Sequence, residues 1–81
     1  MQLKTLYSGV YGGFFKTRSK KDGFQTFVVR VFSEVDKKGK KVWKYSFAEV
    51  KKMKNTDSKE SYKSKAEATL ACEKQIKELV S

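Results

Sequence analysis

Apolar and polar positions alternate with a period of two through the middle of the chain. Residues 24–34, FQTFVVRVFSE, are rich in β-branched and aromatic types, and residues 41–48, KVWKYSFA, alternate strictly, with Trp43, Tyr45 and Phe47 on one side. Both stretches predict strands. Residues 10–18, VYGGFFKTR, form a third candidate, interrupted by Gly12 and Gly13, a pair that marks a bulge or a close backbone approach. Residues 3–8 are a candidate edge strand.

Two connections share one chemistry. Lys20, Lys21, Asp22 and Gly23, and again Asp36, Lys37, Lys38 and Gly39, place glycine last in a tetrapeptide, which suits a type I turn closed by a left-handed glycine bulge. That geometry pairs Asp36 with Lys40 and Lys20 with Phe24, and so fixes the faces. Phe27, Val29 and Val31 then share a side with Trp43, Tyr45 and Phe47 and with Tyr11 and Phe15. The other side collects Phe14, Lys16, Arg18, Thr26, Val28, Arg30, Phe32, Lys44, Ser46 and Ala48. A plain two-residue hairpin at Asp36 to Gly39 would pair Val35 with Lys40 and scatter the aromatics over both faces. Their segregation favours the bulged form, because a face that is buried must be apolar throughout.

After a polar stretch, Ser64 and Glu67 stand at capping-box spacing and predict a helix start. Ala68, Ala71, Cys72, Ile76 and Leu79 follow at spacings of three and four, with Val80 at the border of the stripe. A single helix of this length is marginal alone, so it must lie on the apolar side of the sheet. Tyr62 is placed to staple the first turn, and Cys72 reads as core filler. The expected fold is α+β: a three-stranded antiparallel sheet, four-stranded if residues 1–9 join it, packed on one C-terminal helix. It forms one domain over residues 1–81, with the sheet at about 10–50, a polar connection at 51–63 and the helix at 64–80.

Composition then removes function classes. With no His and a lone Cys among 81 residues, the chain cannot build a Cys/His zinc site, a histidine triad, a redox dithiol or an internal disulfide. We therefore expect no catalytic residues, no metal, no cofactor and no enzymatic activity. Apolar residues make up 38% and aromatics 14%, too much for a disordered basic tail. No apolar run approaches the roughly 18–20 residues that span a bilayer, and the start lacks a signal peptide's apolar stretch, so a cytoplasmic protein without membrane contact is expected.

Charge adds a partner class. The chain holds 19 Lys and Arg against 9 Asp and Glu, a net +10. Residues 16–54 hold 13 of those cations and only Asp22, Glu34, Asp36 and Glu49 of the acids, a net +9, while the helix is balanced. A single-sign field of this size attracts polyanions, and nucleic acid is the commonest. Lys20 and Lys21 lie at one end of the sheet and Lys37, Lys38, Lys40 and Lys41 at the other, where they can meet phosphates on both rims of a groove. Lys16, Arg18, Lys44 and Ser46 surround Arg30, whose planar fork suits a guanine edge. DNA is preferred over RNA. The same lysines also act as solubilising and edge-protecting groups. Two further uses stay open: docking on an acidic surface of a host protein, and single-strand binding with bases stacked on Phe14 and Phe32. Those two phenylalanines equally suit a homodimer contact or cover by the N-terminal segment.

Three strands followed by a helix, with Asp22, Gly23 and Phe24 opening a strand, residues 37–41 (KKGKK) as a basic turn and residues 62–68 (YKSKAEA) opening the helix, resemble the arm-type DNA-binding domain of phage and transposon integrases. The resemblance covers roughly residues 10–80 and implies a sheet inserted into the DNA major groove with the helix behind it, carried here by Lys16, Arg18, Arg30, Lys44 and Ser46. It also implies a phage or mobile-element origin and a host-cell cytoplasmic location. A lesser resemblance, through Ser64, Lys65, Ala66, Glu67, Ala68, Ala71 and Cys72, is to double-stranded RNA-binding domains.

Overall fold

The computed structural model describes residues 3–19 and 23–80. The strands are β1 (Lys4–Tyr7), β2 (Val10–Ser19), β3 (Gly23–Val35), β4 (Lys41–Glu49) and β5 (Asn55–Asp57), followed by one helix, α1 (Lys65–Val80). They form a five-stranded antiparallel meander in chain order, so the α+β class and C-terminal helix hold while the strand number exceeds the expected three or four. The candidate edge strand is β1. The extra strand, β5, lies in the stretch expected to be a polar connection. Its sequence, Asn55-Thr56-Asp57, carries no apolar alternation, and it pairs with β4, with Phe47 opposite Thr56.

The second hairpin has the expected bulge. The Asp36 N–H donates to the Lys40 carbonyl at 2.9 Å, the Gly39 N–H donates to the Asp36 carbonyl at 3.0 Å, and Gly39 has φ +82°. Asp36 Oδ1 also accepts the N–H groups of Lys38 and Lys40, the local bonding for which Asp is favoured at a turn's first position. The first hairpin differs. Phe24 faces Arg18, not Lys20, and Gly23 faces Ser19. Because this register is displaced by an even number of residues, every side chain keeps its predicted face.

The helix covers the aromatic side. Phe27, Val29, Val31, Tyr45, Phe47, Ala68, Cys72 and Ile76 are all at most 3% exposed, with Phe15, Trp43, Tyr62 and Ala71 packed around them. Burying each large member contributes about 1.5–3 kcal/mol. Leu79, expected in the helix stripe, is 59% exposed; it lies in the last turn, beyond the buried run that ends at Ile76. The cap forms with one change: the Glu67 N–H donates to Ser64 Oγ at 3.2 Å, while the Glu67 carboxylate reaches past Ser64 to the Lys63 N–H. Tyr62 packs against the buried cluster that the helix helps to form. It pairs with Trp43 in an isolated β-bridge, and its ring stacks on Tyr45 at 6.0 Å.

Two buried groups titrate late. Burial, with Tyr62 beside it, pushes the Tyr45 hydroxyl up to about 12, and that hydroxyl is hydrogen-bonded to Gln75 Oε1. Burial also raises the Cys72 thiol to about 12, with a smaller push from Glu73. Cys72 is thus a neutral filler at physiological pH, as its place in the stripe predicts.

Candidate nucleic-acid interface

The side of the sheet away from the helix is open, and its composition follows from register. At its centre one row crosses all five strands: Lys4, Gly12, Arg30, Ser46 and Asp57. Arg30 is exposed on the middle strand. Gly12 beside it has no side chain to raise, and Leu6 leans into the space: a Cβ on Gly12 would come within 2.8 Å of Leu6 Cδ1. A depression of about 600 Å³ results, lined by Lys4, Leu6, Gly12, Phe14, Val28 and Arg30.

The predicted cations divide into groups. Lys16, Arg18 and Arg30 are exposed on the open face as expected, and Lys37, Lys38 and Lys40 are exposed on the β3–β4 turn. Among the described residues neither Lys16 nor Arg30 has an acidic partner. Lys44 is on the face but tied to Glu34 at 2.5 Å, so its charge is already answered. Ser46 is half-buried between Arg30 and Asp57. Lys41 departs from the expected surface: its ammonium lies 5.3 Å from the Trp43 ring centroid, and in strand alternation Lys41, Trp43 and Tyr45 point to the helix side. Lys20 and Lys21 lie outside the described residues.

No family model, curated protein or solved structure matches this chain.

Sequence reasoning placed Phe14, Val28, Phe32 and Ala48 on this face but missed four other apolar groups. Phe14 stays exposed and Phe32 is half-buried. Leu6, Phe24, Val50 and Met53 are also exposed. Leu6 arrives by a register shift between Thr5 and Tyr7, which no alternation pattern reveals. Met53 is carried by the turn into β5, where it holds φ +54° and its N–H donates to the Glu49 carbonyl at 2.8 Å. Its neighbour Lys52 donates to the buried Glu49 carboxylate. Phe24 lies under Arg18, whose guanidinium carbon is 5.9 Å from the ring centroid. Among the described residues no helix is long and apolar enough to cross a membrane.

Proposed function

We propose that this chain is a non-enzymatic module that binds duplex DNA through its open sheet face and its lysine-rich turns. The observation that carries the reading is the set of exposed cations, Lys16, Arg18 and Arg30, on a face the helix leaves free, continued by Lys37, Lys38 and Lys40 at one end. Each such cation that meets a phosphate releases counterions, so affinity should fall steeply with salt. Duplex RNA is the poorer partner because the deep, narrow major groove of A-form helices does not admit side chains to its base edges.

A second reading has its own support. Leu6, Phe14, Val28, Val50 and Met53 are exposed on the same face, and apolar groups ringed by cations suit an acidic protein surface. Self-association through Phe14 and Phe32 would bring two strongly cationic faces together.

Titration of labelled duplex DNA, single-stranded DNA and duplex RNA at several salt concentrations tests the proposal. Duplex DNA is expected to bind tightest, with a clear salt slope. No binding below about 10 μM at 50 mM salt, where even non-specific contacts of a basic module register, would overturn it and favour the acidic protein partner.

A further inference from the structure

We infer that the protruding β2–β3 ribbon, and not the full sheet, enters the major groove, with Arg18 reading a guanine and Phe24 the methyl group of a nearby thymine. This rests on the DNA reading above and assigns the base-contacting chemistry within it.

Breadth decides which part can enter. At the level of Arg30 all five strands stand side by side, so the outer two are about 19 Å apart at the usual strand spacing. A B-DNA major groove is about 12 Å wide and admits a two-stranded ribbon. Such a ribbon exists here. The pairing of β3 with β4 ends at Phe27 and Glu49, yet β2 and β3 continue through Lys16 with Thr26, Thr17 with Gln25, Arg18 with Phe24 and Ser19 with Gly23. Beyond Phe27 the other side of β3 receives one main-chain bond, from the Val50 N–H to the Thr26 carbonyl. Arg30, expected from its sequence position to read a base, sits where the sheet is widest and is left to meet phosphates.

The ribbon's face carries the chemistry. Arg18 and Phe24 are directly opposite each other, with Lys16 one step along on the same side. Phe24 is 77% exposed, the most exposed large apolar side chain of the described residues. An arginine fork matches guanine O6 and N7, and an aromatic edge matches the thymine C5-methyl. The 5.9 Å between guanidinium and ring is under two base steps at about 3.4 Å each, so both contacts can fall within one short stretch of groove. Lys16 then lies on the approach to the backbone.

The test uses the full chain and pairs of duplexes identical except that every thymine is replaced by uracil, which removes only the methyl group. Wild type is expected to favour the thymine duplex about three- to fivefold, the worth of one methyl group withdrawn from water. Phe24→Ala should abolish that difference, while Phe14→Ala, at a level where β4 still flanks β3 and so behind the protruding part, should keep it. In selection from a randomised duplex library, Arg18→Ala should lose a guanine preference that Arg30→Ala retains. Far-UV circular dichroism and the thermal midpoint check that these exposed-site variants stay folded. Equal binding of both duplexes by wild type overturns the inference, as does a difference that vanishes with Phe14→Ala instead. Absence of binding to either duplex also overturns it, and that result identifies the DNA reading itself as the failure.

Discussion

Trp43 and Tyr62 exchange both of their backbone hydrogen bonds, each at 2.8 Å. This single bridge pins the segment before the helix to the outer side of β4, two residues ahead of the Ser64 cap. The Tyr62 ring closes an aromatic row over the core, stacked on Tyr45. The helix therefore starts from a fixed point on the sheet.

Removing that ring should be costly. Tyr62→Ala is expected to lower stability by about 2–3 kcal/mol, through lost stacking and a partly filled void against Tyr45. Tyr62→Phe should cost far less, since the bridge and the stack remain. Urea midpoints at constant m-value report both; equal losses would show that the hydroxyl carries the effect.

Backbone conformation gives two changes of opposite sign. Gly39 has φ +82° and open space around it, so Gly39→Ala should destabilise by about 1 kcal/mol through conformation alone. Met53 holds a left-handed φ of +54° with a side chain that prefers otherwise; Met53→Gly should be neutral to stabilising by up to about 1 kcal/mol. Thermal midpoints of the two variants are expected to move apart, and a fall for Met53→Gly would mean its side chain packs usefully.

Alkali should unfold the protein through its core. Cys72 and Tyr45 are held neutral, both raised to about 12 in the folded state from ordinary values of 9.0 and 10.0. The folded state thus keeps protons that the unfolded chain gives up. Their contribution is fully present below about pH 9 and is lost as pH rises toward 12. Denaturant midpoints measured from pH 7 to pH 11 should fall above pH 9, and Cys72→Ala should flatten the first part of that fall. At pH 8 a thiol reagent should modify Cys72 only as fast as the protein opens.

Charge arithmetic on the proposed binding face is also open to measurement. Lys38→Ala should weaken all DNA sequences alike and lower the salt slope by about one. Lys44→Ala should cost less, because Glu34 already answers that ammonium. Glu34→Gln should raise affinity, by releasing Lys44 and removing a negative charge from the face. A weaker-binding Glu34→Gln protein would place the ion pair in a positioning role.

The parts of the fold carried by side-chain pattern were legible in the sequence. Phe27, Val29, Val31, Tyr45 and Phe47 alternate without a break, and the Asp36 turn set their partners, so the buried face could be assigned in full. Ala68, Cys72 and Ile76 gave the helix by spacing. What main-chain bonding alone holds was not legible: β5 has no apolar signature, Leu6 reaches the open face across a register shift, and Lys41 turns away because strand alternation overrides its membership of a basic turn. Arg30 drew attention as the central arginine of the central strand. That two strands flank it on either side follows only from the pairing.

Both margins of the sheet are short and carry charged or polar residues: β1 contributes four residues and β5 three, the latter Asn55-Thr56-Asp57. A strand from a second molecule would find only a few free amide groups to join along β1 or β5. Copies crowded along one polyanion would therefore meet at these two margins as like-charged bodies with little strand edge to share. If the proposed DNA binding holds, their spacing would be set by mutual repulsion and by the length of backbone each one occupies.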